Sequence, residues 1–177
     1  MSENTTSYFN GNLHSLVMCR GSFAGSALSS FRSDLRSLSY GISMFAGSSK
    51  LTTFNSKLFS LGDVENYYDA MYDFYRQIIP EDEMFTKEEL IASGEIDPEG
   101  FASKMFTGCK LDAASVENIL TTIPEWNDGI YRELGMTIQS GEAAAKFGEI
   151  TGIIPASTEE VEVPFKGWNV KVNLFSV

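Results

Sequence analysis

The sequence predicts an α+β domain with helix in the majority: two longer amphipathic helices, several short helices, and a small antiparallel sheet that includes a C-terminal β-hairpin. Three observations carry this expectation. Apolar residues recur at spacings of three and four in two separate stretches, the middle of the chain is divided into short capped segments, and the tail alternates apolar and polar residues.

The first element is a short strand, Leu13 to Arg20, which mixes β-branched and apolar residues before Gly21. The strongest periodic signal follows. Leu28, Phe31, Leu35, Leu38, Ile42 and Phe45 step by 3, 4, 3, 4 and 3, which predicts a helix from about Gly25 to Phe45 with all six on one stripe. Serines fill its other faces and Gly41 interrupts it, so this helix depends on its packing partner more than on intrinsic propensity. Leu51 to Ser60 alternates loosely and reads as a second strand.

Asp63 then caps the second long helix, where Val64, Tyr67, Met71, Phe74 and Ile78 form a stripe that ends at Pro80. Tyr68, Tyr72 and Tyr75 widen that stripe and bring large amphipathic rings to a contact surface. Shorter helices are expected beyond it. Thr86 and Glu89 form a capping box for one that ends near Gly94, and Asp97-Pro98 starts another over Glu99 to Thr107. Asp112 caps Ala113 to Ile123, Pro124 opens a helix through Trp126, Ile130 and Leu134 to Gly135, and Ser140 caps Gly141 to Ile150. Finally, Glu159 to Phe165 and Trp168 to Phe175 alternate around Lys166-Gly167 as a β-hairpin, with Trp168, Val170, Val172 and Leu174 on one side.

Residues 1–177 read as one domain: a weakly basic strand-helix-strand segment at 1–60, an acidic helical segment at 61–155 and the hairpin at 156–177. With 43% hydrophobic and 21% charged residues, the chain has the composition of a folded protein. Its apolar runs are far too short for a membrane helix. The net charge of -11 opposes binding to a phosphate backbone, so no nucleic acid partner is expected. The start of the chain lacks a basic region followed by an apolar stretch, which points to cytoplasmic synthesis, with later incorporation into a particle or assembly.

Charge is unevenly spread. Residues 1–60 carry five basic and two acidic side chains, a net of +3, whereas residues 61–177 carry eight basic and 22 acidic ones, a net of -14. That asymmetry fits either solvated acidic helices or a head-to-tail contact between a basic segment and the acidic surface of the next copy.

Catalytic chemistry finds little support. A single histidine, His14, excludes sites that need two, and no GxGxxG, GxxxxGKS/T or GxSxG pattern is placed to act. Cys19 and Cys109 read as core residues. Glu65, Asp69 and Asp73 share a helix face that could attract a divalent ion, but repulsion at that spacing favours a hydrated face. No catalytic, cofactor or metal site is therefore assigned. The expected function is a non-enzymatic structural subunit of a larger assembly, such as a component of a virion or phage tail, whose partners are copies of itself or neighbouring subunits. Two alternatives are a small acidic binding protein (a chaperone, inhibitor or immunity-type protein) acting on a basic partner, and a carboxylate-based hydrolase. The candidate contact residues are Leu28, Phe31, Leu35, Leu38, Ile42, Phe45, Tyr68, Tyr72, Tyr75 and Trp168.

Overall fold

A computed structural model describes residues 7–93 and 99–176. Phe9, Phe31 and Phe54 stand in register on three parallel strands, β1 (Ser7–Phe9), β2 (Leu28–Phe31) and β3 (Thr53–Phe54). That register reveals a repeat. The pattern Phe-x-Gly/Ser-x-Leu-x-Ser-Leu occurs at 9–16, 31–38 and 54–61, and Phe-x-Gly followed by Ser or Cys occurs at 23–26, 45–48 and 106–109. Each occurrence marks the same place on successive turns of a coiled chain, stacked as in a solenoid.

Packing explains the pattern. The Phe31 ring lies nearly parallel to Phe9 and Phe54, at 5.1 and 5.7 Å, and Phe45 lies nearly parallel to Phe23 and Phe106, both at 5.5 Å. The two rows meet edge to face, with Phe31 on Phe45 and Phe54 on Phe106 at 4.8 Å. The residue after Phe-x-Gly binds backwards: Ser48 Oγ donates to the Phe23 carbonyl at 2.8 Å, and Cys109 Sγ to the Phe45 carbonyl at 3.3 Å. The glycines of this motif, Gly25, Gly47 and Gly108, all have positive φ, which turns the corner of each coil.

A ladder of backbone hydrogen bonds joins the second side of the coils. Cys19, Gly21, Phe23 and Gly25 donate to residues 40–46, and Gly41, Ser43, Phe45 and Gly47 donate to residues 101–107. Between those turns the chain leaves the stack at Gly62. It forms an arm of helix α1 (Val64–Tyr75), a 3-10 turn (Glu81–Glu83) and helix α2 (Lys87–Ser93), then rejoins the ladder as β4 (Phe101–Leu111).

The ladder continues as a second sheet of order β4-β5-β7-β6, with β5 (Glu133–Ile138), β6 (Val161–Phe165) and β7 (Trp168–Leu174). Its β4-β5 and β5-β7 pairs are parallel, joined through helices α3 (Ala113–Thr122) and α4 (Glu142–Thr151), while β6 and β7 pair antiparallel around Lys166-Gly167. Helix α3 takes the place beside β3 that a fourth strand would occupy. Its Ser115 Oγ accepts from Phe54 N at 2.8 Å and donates to the Thr52 carbonyl at 3.0 Å. Asn118 Nδ2 donates to the Ser56 carbonyl at 2.8 Å, and Leu58 N donates to Thr122 Oγ1 at 3.2 Å. These buried polar side chains satisfy the exposed edge of β3, while Val116, Ile119 and Leu120 enter the core.

The helix-rich expectation is overturned. Among the described residues there are four α-helices making up 24%, 26% strand, and two sheets of three and four strands. Residues 25–45 form coil turns in place of a long helix. Tight corners bring inward positions back every three or four residues, which imitates a helical stripe in sequence. Ser43, with φ of 53°, lies inside that stretch and cannot be helical.

Other elements change too. The stretch 13–20 has only an isolated bridge from Met18 to Tyr40, and the strand read at 51–60 shrinks to Thr53–Phe54. The helix expected over Glu99 to Thr107 is largely strand β4, and the one from Pro124 to Gly135 is irregular chain leading into β5. Gly94 and the Asp97-Pro98 signal lie outside the described residues.

Candidate functional site

The structure separates the sequence-derived contact residues into two groups. Phe31, Leu35, Leu38 and Phe45 are buried in the coil core, Leu28 packs partly buried against it, and Ile42 is buried in a second cluster with Tyr40, Val64, Tyr67 and Phe101. Their side chains hold the stack together. Trp168 is also buried, and its indole nitrogen donates to the Pro124 carbonyl at 3.0 Å. The tyrosines lie elsewhere, on the arm.

Asp63 caps α1 by accepting from the backbone N–H groups of Glu65 and Asn66. The first turns of α1 anchor the arm. Val64 and Tyr67 are buried, and the Tyr67 ring stacks on Tyr40 at 5.4 Å and meets Phe101 edge-on at 5.3 Å. Farther out, Tyr68 Oη donates to the Phe85 carbonyl at 3.0 Å and Tyr72 Oη to Glu81 Oε1 at 2.8 Å. That bond to Glu81 raises the Tyr72 phenol above its ordinary value. Between these elements lies an apolar cleft of about 250 Å³, lined chiefly by Tyr68, Met71, Tyr72, Tyr75, Ile79 and Met84. Phe85, also in its lining, is 69% exposed, and Phe74 and Ile78 on the same arm are 61% and 66% exposed.

Carboxylates surround this apolar surface. Residues 63–93 contain nine acidic and two basic side chains, a net of -7. Lys87 pairs with Glu65 at 3.2 Å and Arg76 with Asp73 at 3.5 Å, so the row of Glu65, Asp69 and Asp73 is divided among cations. Among the described residues, no three His, Cys, Asp or Glu side chains gather in a way that could hold a metal ion.

The coil stack has the opposite character. Residues 7–62 carry Arg20, Arg32, Arg36, Lys50 and Lys57 against Asp34 alone. Positions between the inward Phe and Leu residues form outward rows across the three coils: Asn10, Arg32 and Asn55; Asn12, Asp34 and Lys57; His14, Arg36 and Phe59. All of these but Asn12 and His14 border a groove of about 670 Å³. Arg36 Nε donates to both Asp34 oxygens, at 3.0 and 2.8 Å, and this contact holds the Asp34 carboxyl below its ordinary value. Lys57 Nζ donates to Asn118 Oδ1 at 2.7 Å. Phe59 ends its row 62% exposed, an aromatic ring among basic side chains.

His14 bonds to Asn12 at the coil surface, while Cys19 is buried. Burial pushes the Cys109 thiol up to about 12, which keeps it protonated and unreactive.

Sequence reasoning missed a third feature at the base of the arm. Arg132 has a fully buried side chain, donates from Nε to the Gly62 carbonyl at 2.9 Å, and lies 4.3 Å over the Trp126 ring. Its guanidinium binds Asp128, four residues earlier, which lowers the Asp128 carboxyl. Beside it, burial would raise the Glu133 carboxyl, but hydrogen bonds led by Lys171 outweigh burial and lower it. The only sequence signal for this cluster is the Asp-x-x-x-Arg spacing beside a tryptophan. It clamps the point where the arm leaves the stack.

Among the described residues, no helix is long and apolar enough to cross a membrane. Compared with known proteins, no family model, curated protein or solved structure matches this chain.

Proposed function

We propose that this chain is a non-enzymatic structural subunit of a larger protein assembly, with the arm as its principal contact surface. The observation that carries this reading is the exposure of Phe74, Ile78 and Phe85 on the arm that holds an apolar cleft. Large apolar side chains grouped on a projecting element mark a surface that another protein covers. The coil stack supports the reading as a rigid framework, because each turn is fixed by its neighbours through interlocked Phe rows.

The carboxylates around the same cleft give specific support to a second reading, an acidic binding protein that acts on a basic partner. Molar mass by light scattering, followed across the micromolar range, tests the first reading. Discrete oligomers or polymers are expected. A chain that stays monomeric throughout counts against self-assembly and favours the second reading.

A further inference from the structure

We propose that the arm's cleft receives the basic coil face of a second copy of this chain, with Phe59 as the inserted side chain. This rests on the assembly reading above and names both sides of the contact. Phe59 is the one apolar residue in the outward rows of the coil repeat, where the earlier coils place His14 and Arg36. It projects beside Arg36 and Lys57. The arm offers the complement, an apolar cleft lined by Tyr68, Tyr72, Met84 and Glu83, with Glu81 and Asp82 preceding Glu83 in the same 3-10 turn.

Size agrees with this pairing. At about 250 Å³ the cleft falls below the roughly 300–1,000 Å³ of pockets that enclose a small molecule, and it suits a single aromatic side chain. Charge selects the geometry. Two arms facing each other would bring together two surfaces of net -7, and two coil faces would oppose Arg32, Arg36 and Lys57 to themselves. Only the arm of one copy against the coil face of the next places opposite charges together. Such a contact joins two different surfaces, so a pair keeps one free arm and one free coil face and the assembly grows into a ring or a filament. Phe59 enters the cleft as an aromatic anchor while Arg32, Arg36 and Lys57 face the acidic border.

Two variants test this, each altering exposed residues only. Phe59→Asp disables the coil face, and the double variant Asp82→Lys/Glu83→Lys disables the arm. Each alone is expected to weaken association by about tenfold or more, with an unchanged circular dichroism spectrum. Mixed in equal amounts they retain one intact contact, so a discrete heterodimer that grows no further is expected. Wild-type assembly with both variants assembling equally well would overturn this contact while leaving the assembly reading in place. A wild-type chain that stays monomeric at high concentration would overturn both. A monomeric chain whose arm binds a synthetic Lys/Leu amphipathic peptide would overturn the second copy as occupant, in favour of a different basic protein.

Discussion

The Arg132 guanidinium donates two hydrogen bonds to the Asp128 carboxylate, at 2.6 and 2.9 Å, from a side chain with no exposed surface. A buried cation needs such a partner, because its desolvation cost is offset only by charge-assisted hydrogen bonds. The pair also ties the chain before β5 to the Gly62 carbonyl, where the arm begins.

Asp128→Asn keeps the shape and removes the charge, and is expected to lower the unfolding free energy at neutral pH by about 1–3 kcal/mol. The pH dependence follows from the lowered Asp128 carboxyl. A carboxyl with a depressed native pKa contributes stability that is complete above its unfolded value, near pH 4, and lost as pH falls through the lower native value. The gap between wild type and variant in urea unfolding should therefore narrow below about pH 4. A gap that stays constant down to about pH 2 would contradict this account of the pair.

The coil corners give a graded comparison. Gly25 and Gly108 occupy equivalent motif positions with φ of 64° and 82°, but a Cβ on Gly25 would meet nothing within 4 Å. A Cβ on Gly108 would lie 3.0 Å from the Gly47 Cα. Gly25→Ala should cost about 1–2 kcal/mol from backbone strain alone. Gly108→Ala should cost about 1–3 kcal/mol more, because the adjacent coil must also move. Equal losses in denaturant midpoint would show that the coils are not stacked through this contact.

Helix α3 closes the edge of β3 with side chains, so Ser115→Ala should be costly for so small a change. It strands Phe54 N and leaves the Thr52 carbonyl with only its bond from Asp112 N at 2.9 Å, with an expected loss of about 1–3 kcal/mol. Glu117→Ala, on the exposed side of the same helix, should change stability by about 0.5 kcal/mol or less. Similar effects at the two positions would mean that α3 does not cap the sheet.

The Cys109 thiol should resist iodoacetamide in the native protein at pH 8, because burial holds it up to about 12. It should react at the rate of a free thiol once the chain is unfolded in urea. Rapid native labelling at Cys109 would contradict its place between the coils.

Local signals were the legible part of this sequence. Asp63, Asp112 and the Thr86–Glu89 pair each name a helix start, and their side-chain bonds are present in the structure. The alternation across Lys166-Gly167 likewise coincides with the antiparallel pairing of β6 and β7. Spacing misled where its cause was not local. Phe31, Leu35, Leu38 and Phe45 recur as on a helix because the coil turns inward at those residues, and only comparison with residues 9–16 and 54–61 separates the two causes. The 23-residue step from Phe31 to Phe54, against 22 from Phe9 to Phe31, and the arm inserted before Phe106 obscure that comparison.

The proposed contact surface was half legible for the same reason. Tyr68, Tyr72 and Tyr75 follow from helical periodicity alone. Phe59 does not, since its exposure becomes visible only when the rows of Asn12, Asp34 and Lys57 and of His14, Arg36 and Phe59 are aligned across three coils.

Molar mass measured on one wild-type sample at low and then high salt tests the central claim most directly. Exposed charges between an acidic arm and a basic coil face are screened within about 3 Å at 1 M salt, against about 30 Å at 0.01 M. Oligomers or polymers at low salt that shift toward monomer as salt is raised are the predicted result. A single monomeric mass at every salt and protein concentration would contradict it.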